Sequence, residues 1–318
     1  MPGISRASVA RQAGLPVPER VGGAVVHSLS TLASAEIRVR DTTFVALDLE
    51  ATGVAFGHDR IIEIGAVKFR VASDGRVIPG ERFHTLVNPG IPLPPPIARL
   101  TGLSQAGLND APPLEAVWGE LEGFVQGVVV VAHQVQSDLA WLASEALRIG
   151  RSPIDQAFYC TLQISRRCVP KAPKHALAAL VEHLGLSPGE HHRALADALH
   201  TRNLFAHCVA LIGAQDLGAL GLRRSELWPT RDRFVVDLPA HLEPMRGHLA
   251  AQTAVVMRYR GGSQGTAPRP VTPLGFFAAS GVPYLRAWCH IADDARSFRC
   301  DRIRAWHPLL IDEDVLSL

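Results

Sequence analysis

The run Thr43-Phe-Val-Ala-Leu-Asp-Leu-Glu-Ala-Thr-Gly53 constrains the fold of this chain more than any other stretch. Four apolar residues, Phe44 to Leu47, lead straight into Asp48, the pattern of a strand buried on both faces. Side chains two apart on a strand point the same way, so the Asp48 and Glu50 carboxylates emerge together at its end. Two carboxylates that close repel each other unless a cation lies between them. An all-oxygen pair suits Mg²⁺ or Mn²⁺.

The pair alone is a weak signal. With 30 acids in 318 residues, about three acid-x-acid pairs are expected by chance. Three occur: Asp48/Glu50, Glu120/Glu122 and Asp312/Asp314. The second falls in an amphipathic helical pattern and the third in a polar tail, where a solvated face is the default. Only the first follows a core-like strand and precedes a Thr-Gly turn.

Two further acids strengthen it. Val128-Val-Val-Val-Ala-His133 is another strand-like run, leading through Gln134 to Asp138, with Leu139, Trp141, Leu142 and Leu147 following at helical spacing. Asp138 therefore lies near a helix start, either as a site residue or, with Ser137, as a cap. Later, Leu195, Leu199, Leu204 and Phe205 suggest a helix with Asp197 near its start. His192 precedes Asp197 by five residues, about 140° away on one regular helix. It can join a shared site only from the loop entering the helix, where a mobile imidazole suits a general base.

Asp48-x-Glu50, Asp138 and His192-x-x-x-x-Asp197 together resemble the motifs of the DEDDh 3′→5′ exonucleases, the family of proofreading polymerase subunits, ribonuclease T and oligoribonuclease. The segments Asp59–Val67, Leu100–Ser104 through Pro112, and Lys174–Leu186 resemble that family's intervening elements, so the likeness covers about residues 42–210. It departs at Ala51, where a first threonine is usual, and at Gln134 and Ser137, where an Asn and an aromatic are usual. His191 competes with His192, and only the family spacing selects His192.

The resemblance implies a ribonuclease H-like mixed sheet with flanking helices, and two Mg²⁺ or Mn²⁺ ions about 4 Å apart held by Asp48, Glu50, Asp138 and Asp197. It implies His192 as the base and release of nucleoside 5′-monophosphates from a free 3′ end. Thr52 and Gln134 become candidate substrate contacts. Sequence selectivity is not expected, because backbone contacts carry no base information.

A hydrophobic fraction of 47% and a charged fraction of 19% describe an ordinary globular chain long enough for two domains. No apolar run approaches the roughly 18 residues of a membrane span, and the N-terminal segment lacks a signal-like core. Five cysteines without a Cys-x-x-Cys pair argue against structural zinc and a disulfide framework, and fit a reducing cytoplasm. A net charge of +2 does not by itself announce nucleic-acid binding. The basic residues are almost all Arg, whose fork suits phosphate wherever it clusters, although a GC-rich genome explains the excess better than a binding role does.

The expected organisation is an N-terminal arm over 1–40, an exonuclease domain over 41–210, a Gly- and Pro-rich connector over 211–245, and a small domain over 246–318. The first strands read as a meander of Phe44–Leu49, Ile61–Val71 and Glu81–Val87, with Ser73-Asp-Gly75 as a hairpin turn. In the last domain, Ala254–Arg260, Arg269–Phe277, Tyr284–Cys289 and Phe298–Arg304 read as strands, the first followed by a Gly261–Gly265 turn. Such strands suggest a small Sm/SH3-like β-barrel or curled sheet.

Arg269…Pro273, Pro283-Tyr284-Leu285 and Arg296-x-Phe298-Arg299-x-Asp301-Arg302-Ile303 resemble a WYL domain, with Pro283 where the naming Trp would stand. That resemblance makes Tyr284, Arg269, Arg296, Arg299 and Arg302 candidates for a nucleic-acid or nucleotide pocket. The alternative is that Tyr284 packs inside and the arginines pair with Asp293, Asp294 and Asp301.

The whole reading is a metal-dependent 3′→5′ exonuclease acting on DNA single strands or frayed ends, with a WYL domain that binds nucleic acid. The rivals are an exoribonuclease or oligoribonuclease, and a regulator that binds nucleic-acid ends with little catalysis. Oligomeric state is not legible in the sequence.

Overall fold

The computed structural model describes residues 33–309 except 58, 73, 153, 155, 187–190, 224, 227–235, 262–266 and 280–281. Most of the expected N-terminal arm, Ser73 of the hairpin signal, nearly all of the Gly261–Gly265 turn and Asp312/Asp314 lie outside the described residues.

Five strands form the first sheet: β1 (Phe44–Ala51), β2 (Ile61–Val71), β3 (Val77–Leu86), β4 (Val129–Ala132) and β5 (Ala157–Cys160). Their order is β3-β2-β1-β4-β5. The expected meander is present, since β1 pairs antiparallel with β2 and β2 with β3. β4 and β5 add in parallel on the other side of β1. This central place explains why Phe44 to Leu47 and all of β4 are buried, as unbroken apolar runs require. β3 starts at Val77, earlier than expected. It is an edge strand, where Pro79 can sit without a ladder hydrogen bond, at a register irregularity opposite Val67–Phe69.

The links are helical: α1 (Pro95–Thr101), α2 (Gln105–Asn109) and α3 (Leu114–Val125) run between β3 and β4, and α4 (Val135–Arg148) between β4 and β5. After β5 come α5 (Thr161–Cys168), α6 (Leu177–His183) and α7 (Ala194–Ile212). One face of the sheet packs Phe44, Phe69, Val129 and Val131 under Leu204 and Phe205 of α7, with the Phe44 and Phe205 rings 4.8 Å apart. The other face packs Val45, Leu47 and Val130 under Trp118 of α3 and Leu139 and Leu142 of α4. α3 buries Leu114, Val117, Trp118, Leu121 and Val125 and leaves Glu120 exposed, which is the solvated face expected for Glu120/Glu122.

Gly65 sets how closely α7 approaches the sheet. A Cβ there would fall 2.2 Å from the Ala194 carbonyl carbon and the Leu195 nitrogen. Because Gly65 pairs with Asp48, this contact brings the start of α7 to the acidic end of β1.

The second sheet contains β6 (Val255–Tyr259), β7 (Arg269–Ala279), β8 (Val282–Cys289), β9 (Asp294–Arg299) and β10 (Ile303–Pro308), preceded by α8 (Met245–Ala251). Its order is β10-β6-β7-β8-β9, antiparallel throughout. Its core includes Leu242, Met245, Val255, Met257, Leu285, Phe298 and Ile303. The strand expected over Phe298–Arg304 is broken by a 3₁₀ turn, Cys300–Arg302.

That break has a geometric cause. Arg299 pairs with Tyr284 on one edge of the sheet, and Ile303 pairs with Tyr259 near the other. Four residue steps reach about 14 Å, whereas five flat strands span about 19 Å from edge to edge. The sheet must therefore curl. No β9–β10 ladder occurs among the described residues, and the turn draws the two edges of the curled sheet together. No helix among the described residues is long and apolar enough to cross a membrane.

Candidate active site

Asp48 and Glu50 stand on the last turns of the β1 pleat, paired with Gly65 and Glu63 of β2. The register shifts after Glu50, and the chain enters a tight loop. Asp59 organises that loop: Oδ1 accepts from the Thr52 hydroxyl at 3.2 Å and Oδ2 from the Ala55 N–H at 2.7 Å. The Thr52 hydroxyl also accepts the Arg60 N–H at 2.9 Å. Gly53 crosses so near Asp59 that a Cβ would fall 2.4 Å from its carboxylate. Thr52, expected as a substrate contact, is fully buried and its hydroxyl is engaged within the loop.

Asp138 lies in the first turn of α4, 6% exposed. The N-cap is Gln134, in the left-handed region at φ 61°, so Asp138 does not cap the helix. Gln134 is exposed. Asp197 lies in the first turn of α7. Its Oδ2 accepts the His192 backbone N–H at 2.9 Å, and its Oδ1 is 3.2 Å from His191 Nδ1. His192 is exposed and is itself left-handed, at φ 61°. Few residues other than Gly hold that conformation, and such backbone strain concentrates at functional positions. Ligand atoms of Glu50, His192 and Asp197 all lie within 4.8 Å of one another.

The carboxylates oppose each other's ionisation. Burial pushes Asp48 well above the usual carboxylate range, and the charges of Asp138, Asp197, Glu50 and Glu63 push further. Burial, and then the Glu50 charge, raise Asp138. Glu50 is pushed up to about 7 by burial, Asp197 and Glu63, with Arg193 opposing. A buried cluster of this kind is relieved by divalent cations, and its oxygen donors fit hard ions.

Sequence reasoning missed the group that braces the site. Glu63, whose side chain has no exposed surface, accepts from Arg193 Nη2 at 3.0 Å and Nε at 3.2 Å, and from the Ala194 N–H at 3.1 Å. His84 Nε2 is 2.7 Å from the same carboxylate. Burial opposes its charge, yet the hydrogen bonds from Arg193, His84 and Ala194 hold it below the ordinary range. The available signal was an acid inside the apolar run Ile61–Val71, since a buried carboxylate needs a partner.

In the small domain the candidates separate. Arg269 is 6% exposed, with its guanidinium 5.6 Å from the Tyr259 ring and 5.8 Å from the Phe298 ring. That position is one of packing and leaves little surface for a phosphate. Arg299 forms a two-point pair with Asp301, at 3.0 and 2.9 Å, the alternative left open by the sequence. Tyr284 stacks on Phe277 with centroids 5.3 Å apart.

Tyr284 is directly opposite Arg299, and Arg286 opposite Ser297, with Arg286 Nη1 donating to Ser297 Oγ at 3.2 Å. By alternation, Tyr284, Arg286, Trp288 and Arg299 share one face of β8 and β9. Arg296 falls on the other parity, so it does not join Arg299. Arg302 is exposed in the 3₁₀ turn. Arg286 and Trp288 were missed, although their period-2 spacing from Tyr284 was a signal.

A mixed sheet whose first strand ends in paired acids, joined by acids from two helix starts and a histidine, defines a nuclease of the DEDDh type. A family model described as Exonuclease matches residues 45–205, and one described as WYL domain matches residues 240–308. The chain belongs to the exonuclease family and carries a WYL domain.

Among similar proteins is DNA polymerase III subunit epsilon of Aquifex aeolicus, 34% identical over 165 residues, covering 52% of this chain and 79% of that protein. The PolC-type DNA polymerase III of Caldanaerobacter subterraneus is 35% identical over 162 residues, 51% of this chain. A DNA polymerase III subunit epsilon-like protein of Rhodobacter capsulatus is 34% identical over 198 residues, 61% of this chain. The chain spans only 11% and 28% of the length of these last two. Among solved structures, exonuclease X in complex with 5′-overhanging duplex DNA is 26% identical, with a TM-score of 0.43, covering 56% of this chain and 99% of that one.

Proposed function

We propose that this chain is a divalent-metal-dependent 3′→5′ exonuclease that removes nucleoside 5′-monophosphates from DNA, with single strands or frayed ends as substrate. The observation that carries the reading is the convergence of Glu50, His192 and Asp197 within 4.8 Å, beside an Asp48 whose charge is opposed by Asp138 and Asp197. In this reading Asp48, Glu50, Asp138 and Asp197 hold two Mg²⁺ or Mn²⁺ ions. When bound, the ions activate the attacking water and stabilise the leaving 3′ oxygen.

The chain's own groups do the rest. His192 takes the proton of the attacking water, which its loop position allows without disturbing the helix. Asp197 holds the histidine loop through the His192 N–H. Glu63 and Arg193 fix the start of α7 against β2, so that Asp197 meets Asp48. In this reading Gln134, which is exposed, contacts the substrate.

DNA is favoured because the relatives named above are DNA polymerase III proteins. Residues 41–210 carry the chemistry, 211–245 connect, and 246–318 bind nucleic acid. The face that Tyr284, Arg286 and Trp288 share supports that last role, since aromatic rings stack bases and Arg meets phosphate. A reducing cytoplasm belongs to the same reading.

The test is degradation of 3′-labelled and 5′-labelled DNA and RNA, single- and double-stranded, with Mg²⁺ or Mn²⁺. The reading expects 3′-terminal label released at once as a nucleoside 5′-monophosphate, and faster decay of DNA. Preference for RNA would favour the exoribonuclease, and end binding without cleavage the regulator.

A further inference from the structure

Asp197 belongs to two clusters. One is the set with Glu50 and His192; the other is His191, Asp197 and His200, whose ligand atoms also lie within 4.8 Å of one another. The two sets differ in chemistry. Carboxylates suit Mg²⁺ and Mn²⁺, whereas two imidazoles and one carboxylate suit Zn²⁺ and its neighbours in the transition series.

One of the three donor separations already matches that ion, and all three lie within 4.8 Å. Tetrahedral zinc with bonds of about 2.0–2.1 Å holds its donors about 3.3 Å apart. His191 Nδ1 and Asp197 Oδ1 are already 3.2 Å apart. The His200 ring lies 4.7 Å from the His191 ring, centroid to centroid, and is inclined to it by 33°. His200 is 5% exposed and held on α7, three residues after Asp197, so it shares that helix's inner face. His191 sits outside the helix on the entering loop, where its ring can turn to complete a set. Asp197 Oδ2 meanwhile stays on the His192 N–H, which orients the carboxylate as outer hydrogen bonds do around metal ligands.

We propose that His191, Asp197 and His200 form a site for Zn²⁺ or a similar transition-metal ion, separate from the oxygen-donor site but sharing Asp197 with it. Occupation commits Asp197 Oδ1 to the imidazole side and fixes the histidine loop, so zinc inhibits the nuclease. The inhibitory half rests on the function proposed above; the binding half does not.

The experiment therefore reads binding without using activity. Full-length protein in excess Mg²⁺, which keeps the oxygen site filled, is titrated with Co²⁺ as a coloured stand-in for Zn²⁺. The expected result is a visible d–d band without a thiolate charge-transfer band, lost on adding Zn²⁺. His191→Ala and His200→Ala should each weaken Co²⁺ binding by at least about tenfold. Asp48→Ala should keep the band. His191→Ala lies on a part-exposed loop and keeps the test decisive if His200→Ala fails to fold.

The activity arm follows inhibition by Zn²⁺ in excess Mg²⁺. His200→Ala should retain the Mg²⁺-supported rate and need at least about tenfold more Zn²⁺ for half inhibition. Absence of the band in the unaltered chain would overturn the site, as would a band that survives both histidine changes and vanishes in Asp48→Ala. A band with the expected variant pattern in a chain without nuclease activity would uphold the site and refute the proposed function instead.

Discussion

The Glu63 carboxylate, wholly buried in β2, is gripped by Arg193 at 3.0 Å, just before the helix that carries Asp197. This pair joins the strand beside Asp48 to the entry of α7. It couples packing to chemistry, because the same short stretch bears His191, His192 and Asp197. Arg193→Ala should leave a buried carboxylate with His84 and one N–H as partners. The expected loss is about 3 kcal/mol, the low end for breaking a buried pair, measured by urea unfolding. The cleavage rate should fall with it, since Asp197 loses its anchor. Unchanged stability and rate would show that the pair is ornamental.

Gly65→Ala tests the approach of α7 to the sheet. A methyl group would meet the Ala194 carbonyl carbon at 2.2 Å, and backbone cannot turn aside as a side chain can. The helix must move away from Asp48. We expect a loss of about 1–3 kcal/mol, as for overpacking, with a larger proportional loss of activity than of stability. Thermal unfolding and initial rates on one preparation check both.

The acidic cluster gives the metal-free protein an unusual pH dependence. Glu50 moves from its ordinary 4.5 to about 7 in the folded state, so the folded state holds a proton that the unfolded state releases. Stability of the metal-free protein should therefore be fully present below about pH 4.5 from this group, and should fall as pH rises to about 7. Asp48 and Asp138, raised in the same direction, extend the effect. Mg²⁺ should oppose the fall most strongly at high pH, where ligands are free of protons. Melting temperatures with and without Mg²⁺ across this range are the check; a metal-free protein that gains stability through the window contradicts the cluster.

His192→Ala should lower the cleavage rate by roughly 10²–10⁴, the usual worth of a general base, with metal binding little altered. His191→Ala should cost much less in Mg²⁺, because His191 meets Asp197 but does not belong to the set that Glu50, His192 and Asp197 form. Single-turnover rates of the two variants settle which histidine is the base, and a reversed order would assign that role to His191.

Much of this was legible in the sequence because strand burial and acid spacing are local properties. Phe44 to Leu47 could only be an inner strand, and Asp48, Glu50, Asp138 and Asp197 each followed a pattern that placed them at an element's end. Glu63 and Arg193 were less visible, since their pairing spans 130 positions and neither has a motif of its own. Thr52 read as a candidate substrate contact because nothing local shows that Asp59 folds back upon it. In the small domain, the strand break at Cys300–Arg302 escaped a pattern that sees alternation but not the edge-to-edge crossing. Arg269 read as a phosphate ligand, yet it lies against Tyr259 and Phe298, a contact between three strands.

The most direct test of the central claim compares the unaltered chain with Asp48→Ala on a 5′-labelled single strand in Mg²⁺ or Mn²⁺. Asp48 is the acid that every other carboxylate in the cluster opposes, so its loss should empty the site of function while relieving repulsion and leaving the fold as stable or more so. The unaltered chain should give a ladder shortening from the 3′ end and the variant no shortening, with equal or higher melting temperature. A variant that shortens the strand at a near-normal rate, in a preparation free of other nucleases, would contradict the central claim.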